Sequence, residues 1–316
     1  IFFDLSASHT SDSDIFGSYG SKTQEPIPPD KSPELDKDGV KLIQQVVGSF
    51  LYYCRATDTT IPEALSELSQ QQTKATENTL QRCRQFLDYM ATHPNAKIRY
   101  YASDMILNVH SDASYLSVPN ARSRAAGIFF LGSLPQADKP ILLNGIIHVL
   151  CTILRFVAAS AAEAELGALF LNAKEAKVMK LTLEELGHPQ PPTIIVTDNE
   201  CAQGIANDTV KQKRLKAINM RFYWIQDRVA QGHFKVHWLQ GTNNHGDYFT
   251  KHHPTSHHIK MRPVYLHTSN LANGIIPDCR GVLIRSPESL FRSLFLASPV
   301  RVLLFAVVEG SVHVLI

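Results

Sequence analysis

The spacing of apolar residues divides the chain into a helical part and a part that mixes strands and helices. Between residues 36 and 95, apolar residues recur every three or four positions, as they do on one face of an amphipathic helix. We predict a helical module there, with helices at about 40–51, 61–68 and 77–90. Residues 1–35 are rich in Ser, Asp and Pro and show little periodicity, which predicts a disordered lead-in.

From residue 96 the pattern changes to short apolar runs. Between residues 96 and 109 short β-rich runs, which include Ile98 and Tyr100, are interrupted at 102–104, and the run at 105–110 predicts a buried strand that ends at Asp112. Two more runs would complete an antiparallel meander. These two runs lie at 127–132 and 145–150. Further strands are predicted at 193–197 and 234–239, and helices at 158–186, 199–205 and 218–229.

This order, with strands clustered first and then alternating with helices, indicates an α/β domain with a mixed sheet covered by helices. We place that domain at residues 96–255. The pattern decays after Tyr265, so residues 256–316 are described as a poorly defined tail.

The amino-acid composition says more about the cellular compartment of the protein than about its function. The five cysteines include no C-x-x-C pair, which favours a reducing, intracellular compartment over a disulfide framework or zinc site. No signal peptide or membrane-spanning segment is predicted, and a start without Met suggests a fragment. A net charge of +2 means that any basic surface must be local.

Acidic residues lie at the edges of several apolar runs, where a rigid scaffold can hold a catalytic carboxylate. They are Asp112, Asp198, Asp247 and either Glu163 or Glu165. Residues two apart on a helix point about 200° away from each other, so only one glutamate can contribute. Taken singly, each aspartate also fits a helix cap or turn, and each glutamate a solvated helix face.

Taken together, these segments resemble the ribonuclease H domain at the C-terminal end of copia-type retrotransposon polyproteins. The similarity covers about residues 109–251, in the order found in that family. Its motifs are Ser111-Asp112-Ala113-Ser114-Tyr115, Arg122-Ser123-Arg124-Ala125-Ala126-Gly127, Ser160-Ala161-Ala162-Glu163-Ala164-Glu165-Leu166-Gly167-Ala168-Leu169, Thr197-Asp198-Asn199, Lys216-Ala217-Ile218-Asn219-Met220-Arg221-Phe222 and Asp247-Tyr248-Phe249-Thr250-Lys251.

The resemblance implies a ribonuclease H-like five-stranded mixed sheet and a catalytic, metal-binding quartet. Its members would be Asp112, Glu165, Asp198 and Asp247, since the family register selects Glu165 over Glu163. The quartet would hold two Mg²⁺ ions, with Mn²⁺ as a substitute. Gly246 stands where the family has Ala, and its added freedom would loosen Asp247.

The implied activity is endonucleolytic cleavage of the RNA strand of an RNA–DNA hybrid, in a cytoplasmic particle or the nucleus. The module at 36–95 resembles the end of a reverse transcriptase, which makes that domain a candidate partner. The chain contains no Asp-Asp pair, so we expect no polymerase activity from it. The alternatives are an inactive remnant with weak hybrid binding, and another nuclease or integrase of the same fold.

Nucleic-acid contacts are predicted at six basic residues, all available to phosphates if exposed. The first two of them are predicted to lie in a loop after Asp112. The other four belong to a basic cluster that could equally be a solvated surface of the protein. They are Arg122, Arg124, Lys213, Arg214, Lys216 and Arg221. The four histidines between Lys251 and Ile259 look like part of a loop, which disfavours a zinc site. One of them could assist proton transfer.

Overall fold

The computed structural model describes residues 30–133, 142–209 and 220–267, and two short strands near the C-terminus. The chain divides into two compact units, residues 1–275 and 276–316. The described part of the second unit is an antiparallel pair, β6 (Ala306–Val308) and β7 (Ser311–His313).

In the described part of the first unit, three N-terminal helices are followed by a five-stranded sheet interleaved with four more helices. The helices are α1 (Lys37–Ala56), α2 (Pro62–Gln71), α3 (Glu77–Thr92), α4 (Ala161–Glu185), α5 (Glu200–Ala206), α6 (Met220–Ala230) and α7 (Thr255–Tyr265). The strands are β1 (Ile106–Val118), β2 (Arg122–Gly132), β3 (Ile146–Ile153), β4 (Thr193–Thr197) and β5 (Phe234–Trp238).

The sheet has the order β3-β2-β1-β4-β5. The first three strands form the predicted antiparallel meander, and β1, β4 and β5 run parallel to one another. This confirms the predicted α/β class, a mixed five-stranded sheet flanked by helices, with a helical module at its N-terminal side.

Polar caps set the starts of the main helices. The Asp36 carboxylate accepts a hydrogen bond from Gly39 N at 2.8 Å and begins α1. Ser160 Oγ accepts from Glu163 N at 3.2 Å and begins α4. Helix α4 ends just before Gly187, whose φ of +88° favours glycine, as the sequence predicted.

Strand β2 is buried on both faces of the sheet. Phe129 of β2 packs into a core with α4, α5 and α6, whereas its neighbour Ile128 packs into a second core with α1, α2 and α3. Neighbouring side chains on a strand point to opposite faces, so β2 lies between the helical module and α4. This position explains why the strand reads as a continuous apolar run.

Several predictions of local structure are wrong. Strand β1 does not end at Asp112 but continues to Val118, because Asp112 and Ala113 remain paired with β2. Residues 98–101 form no strand, and the segment lies outside the sheet. The histidine stretch is not all loop, since α7 begins at Thr255.

The predicted domain boundaries at 35, 95 and 255 stay predictions. Residues 1–29 of the expected lead-in lie outside the described part of the chain. Its last residues contact α3, where Asp30 Oδ2 accepts a hydrogen bond from Thr76 Oγ1 at 2.6 Å. At the far end, Arg262 of α7 donates to Asp58 Oδ2 at 2.9 Å.

Candidate metal centre

The parallel pairing of β1 and β4 brings two of the predicted carboxylates to one edge of the sheet. His110 of β1 is the Cα partner of Val196 of β4. Asp112 and Asp198 each lie two residues beyond that pair, so they continue the same register on the same face. The proximity of these side chains follows from strand register.

Glu165 reaches the same edge from the first turns of α4. Its Oε1 accepts a hydrogen bond from Ala113 N at 3.1 Å, and its Oε2 accepts from Thr197 Oγ1 at 3.3 Å. Glu163 instead accepts from Ala159 N at 2.7 Å, within its own helix cap. Of the two glutamates, Glu165 is therefore the one that faces the sheet.

The three side chains converge. Ligand oxygens of Asp112, Glu165 and Asp198 all lie within 4.8 Å of one another. Asp247 does not belong to this group of three, and its Oδ1 forms an ion pair with Lys251 Nζ. The roles of all four acidic residues as metal ligands and catalytic residues stay predictions.

Asp112 is held by the segment that also carries Asp247. Thr250 Oγ1 donates to Asp112 Oδ2 at 2.6 Å, and Asn244 Nδ2 approaches Asp112 Oδ1 at 3.3 Å. A Cβ atom at Gly246 would lie 3.0 Å from Asp112 Cβ, so the absent side chain allows this close approach. The loosening of Asp247 expected from Gly246 stays a prediction.

Burial and mutual repulsion both make these carboxyls hard to ionise. Asp112 is 1% exposed, and burial followed by the charge of Asp247 raises its pKa to about 7. Burial, then Asp112 and Asp198, raise the pKa of Glu165 well above its usual range. Burial also raises the pKa of Asp198, although Lys251 opposes the shift. A bound cation would relieve this repulsion.

The donor set fits a hard divalent cation. Mg²⁺ and Mn²⁺ prefer oxygen ligands, and three carboxylates from separate elements supply them. Asp112 and Glu165 already accept hydrogen bonds, which hold the two carboxylates in a fixed orientation. Asp112, Glu165 and Asp198 could therefore hold one ion, and Asp247 lies close enough to influence Asp112 electrostatically.

We expect the stabilisation by Mg²⁺ to depend on pH. The Asp112 carboxyl has a raised pKa of about 7, against an ordinary value of 3.8. In the metal-free protein, its stabilising contribution is complete below about pH 4 and disappears as the pH rises through 7. Metal binding needs the ionised form, so the increase in Tm caused by Mg²⁺ should be larger at pH 8 than at pH 6.

Thermal unfolding with and without Mg²⁺ at the two pH values measures this difference. In the Asp112→Asn variant, which lacks both this ligand and its titration, the Mg²⁺-dependent gain in Tm should be small at both pH values. An equal Mg²⁺-dependent gain in Tm at both pH values for the unaltered chain would contradict the prediction.

The basic residues predicted to contact nucleic acid lie in different settings. Arg122 and Arg124 are in β2, not in a loop, which corrects that expectation. Arg124 is 3% exposed, and its Nη2 lies 3.3 Å from Glu63 Oε1, so its guanidinium is used inside the protein. Arg221 lies over the Phe156 ring, 4.8 Å from its centroid. Lys213, Arg214 and Lys216 lie outside the described residues.

Of the histidines after Asp247, His253 and His258 are buried, and His258 contacts the helical module. Tyr248 Oη and Tyr89 Oη contact the two ring nitrogens of buried His258. His252 lies 3.5 Å from Glu63 and 3.4 Å from Glu67, and these three residues form a second group of potential metal ligands. Arg124 and Arg82 already pair with the two carboxylates, so this cluster has its own cationic partners.

Several residues that shape the site were not assigned a role from the sequence. Thr197, Thr250 and Lys251 lie within the quoted motifs, so their positions beside the acidic residues were a usable signal. Asn244 lies in no motif. Its contact with Asp112 depends on the loop after β5 and has no local signature.

The chain is similar to two plant transposon polyproteins. It is 26% identical over 205 residues to the retrovirus-related Pol polyprotein from transposon TNT 1-94 of Nicotiana tabacum, covering 65% of this chain and 15% of that polyprotein. It is 27% identical over 209 residues to that from transposon RE1 of Arabidopsis thaliana, covering 65% and 13%. These polyproteins are homologues of the chain, which confirms the resemblance to copia-type polyproteins. The chain spans less than a sixth of their length.

The solved structures that match the chain include two ribonuclease H proteins. The N-terminal RNase H domain of rv2228c from Mycobacterium tuberculosis is 14% identical, with 46% of this chain and 91% of that chain covered and a TM-score of 0.30. LC11-RNase H1 in complex with RNA/DNA hybrid is 10% identical, with 46% and 93% covered and a TM-score of 0.32. No protein-family model matches the chain.

Across the described ranges, no helix is both long enough and apolar enough to cross a membrane.

Proposed function

We propose that this chain is a metal-dependent ribonuclease H that cuts the RNA strand of RNA–DNA hybrids. It would leave 3′-hydroxyl and 5′-phosphate ends. The proposal combines the homology to transposon Pol polyproteins with a site suited to divalent cations. The polyprotein context and the predicted intracellular location belong to the same proposal.

One observation carries the proposal: three buried or half-buried carboxylates converge at one edge of a mixed sheet. Their ligand oxygens lie within 4.8 Å of one another. Such a concentration of negative charge is costly without a cation, and surface carboxylates that merely cap helices have no reason to converge. The pairing of β1 with β4 and the start of α4 hold this arrangement rigidly.

Asp112, Glu165, Asp198 and Asp247 would hold two Mg²⁺ or Mn²⁺ ions. When bound, such ions activate the attacking water and stabilise the leaving oxygen of a phosphodiester. The protein keeps the ligands oriented: Thr250 fixes Asp112, and the backbone of Ala113 fixes Glu165.

The hybrid would bind mainly through its phosphates and the 2′-hydroxyls of its RNA strand. We propose Arg122 and Arg221 as phosphate contacts, together with the cluster of Lys213, Arg214 and Lys216. Arg124 is not included, because its guanidinium is buried against Glu63. A reverse transcriptase domain is a further proposed partner, since the homologues are Pol polyproteins.

The purified chain should cleave a labelled RNA–DNA hybrid when Mg²⁺ is added. Asp198→Asn should lower the rate by about 100-fold or more, because a neutral amide replaces a charged ligand. The assay should compare the hybrid with duplex DNA and single-stranded RNA.

Absence of Mg²⁺-dependent cutting, or cutting that survives Asp198→Asn, would refute the proposed activity. Salt-sensitive binding of the hybrid without turnover would identify a catalytically inactive remnant. Preferential cutting of duplex DNA would instead indicate another nuclease or integrase chemistry on the same fold.

A further inference from the structure

Lys251 contacts Asp247, the acidic residue that does not belong to the converging group of three carboxylates. It follows the 3-10 turn at Asp247–Phe249, and its Nζ forms an ion pair with Asp247 Oδ1. Thr250 Oγ1 donates to Asp112 Oδ2 at 2.6 Å and also approaches Asp247 O at 3.0 Å. This double contact fixes the turn, and with it the backbone position from which the Lys251 side chain extends toward Asp247.

The charge of Lys251 acts on more than its direct partner. Burial lowers the pKa of Lys251, but the carboxylates of Asp247, Asp112 and Asp198 outweigh that effect and raise the pKa overall. The same ammonium favours the ionised forms of Asp112 and Asp198. One lysine therefore offsets the repulsion among three of the four acidic residues.

The pair is accessible to solvent. The side chains of Lys251 and Asp247 are 41% and 27% exposed, whereas Asp112 is 1% exposed. A flexible ammonium at such a position can leave a carboxylate oxygen without being transferred into an apolar interior. An ion bound by Asp247 through the same oxygen would compete with it.

We infer that Lys251 is the resident counter-cation of this site, and that a divalent ion binding at Asp247 must displace its ammonium. The first ion binds at Asp112, Glu165 and Asp198, and the second binds more weakly. Lys251 keeps Asp247 neutralised and in place whenever the second ion is absent. This inference rests on the proposed metal assignment and adds an order of binding to it.

Titration of the full metal-free chain with Mn²⁺, followed by electron paramagnetic resonance of free Mn²⁺ and by calorimetry, tests the inference. Lys251→Met removes the charge and retains most of the side-chain length. It should tighten the second Mn²⁺ site by about tenfold or more, because a competing positive charge is lost. Lys251→Arg keeps the charge and should retain weak binding at the second site.

Lys174→Met is the matched control for loss of one positive charge. Lys174 lies on α4 over the Phe170 ring, with its Nζ 5.8 Å from the ring centroid. This variant should bind Mn²⁺ as the unaltered chain does. If Lys251→Met fails to fold by circular dichroism, Lys251→Gln replaces it in the same titration.

Unchanged or weaker binding of the second Mn²⁺ in the folded charge-removal variant would overturn the inference. An equal change in Lys174→Met would also overturn it, since the effect would then come from net charge. Hybrid cleavage by the unaltered chain is measured separately. Cleavage without the predicted change in Mn²⁺ affinity would refute this inference and leave the proposed activity standing. The predicted change in Mn²⁺ affinity without cleavage would refute only the proposed activity.

Discussion

Replacing Glu165 with Gln is expected to lower Mg²⁺-dependent cleavage of an RNA–DNA hybrid by about 10² to 10³-fold. Glutamine has nearly the same shape and can still accept from Ala113 N, as Glu165 does at 3.1 Å. It lacks the negative charge that a divalent ion needs, so the loss should appear in both turnover and Mn²⁺ affinity. Single-turnover cleavage and Mn²⁺ titration measure the two effects.

Glu163→Gln is the control, because it makes the same chemical change two residues away on the same helix. Glu163 accepts from Ala159 N at 2.7 Å and contributes to the helix cap. A small loss of stability is expected, with cleavage close to that of the unaltered chain. Equal loss of cleavage in both variants would contradict the assignment of Glu165 and favour a general effect of helix α4.

Replacing Arg124 with Met is expected to lower the free energy of unfolding by about 3 to 5 kcal/mol. The side chains of Arg124 and Glu63 are 4% and 1% exposed, and 3.3 Å separates Nη2 from Oε1. Removing the guanidinium deprives a buried carboxylate of a cationic partner. Urea-induced unfolding, monitored by circular dichroism, measures the change.

Two further variants separate a structural role for Arg124 from nucleic-acid binding. Arg122→Met should change the unfolding free energy by less than about 1 kcal/mol, because Arg122 lies at the half-buried start of β2. The double variant Arg124→Met with Glu63→Gln should regain part of the lost stability. If Arg124→Met weakened hybrid binding without destabilising the protein, the structural role would be refuted.

Elements that are bounded by clear local signals were predictable from the sequence. The long helix at 158–186 was expected from its apolar stripe, and α4 spans Ala161–Glu185 between its serine cap and Gly187. The strand at 193–197 coincides with β4. In both cases local signals, namely caps, glycine and β-branched runs, agree with the tertiary structure.

The length of β1 could not be read in the same way. A polar triplet from His110 to Asp112 looks like the end of a strand, yet these residues are at most 3% exposed and remain paired with β2. Polarity usually indicates exposure, but a site that gathers carboxylates places polar groups in the interior. The error at Asp112 also misplaced Arg122 and Arg124 in a loop.

The sequence by itself determined which acidic residues could form a site and in what order they occur. It also determined the class of fold, because the periods of strands and helices are local properties. The choice between Glu163 and Glu165 needed either the family register or the observed contacts with Ala113 and Thr197.

Only the tertiary structure decided which charges meet. Asp112 and Asp198 lie 86 positions apart, and strand register brings them together. The pairing of Lys251 with Asp247 and of Arg124 with Glu63 likewise depends on how a turn and a strand pack against their surroundings. Electrostatic energy depends on distance in space and on burial, and neither quantity is encoded in local periodicity.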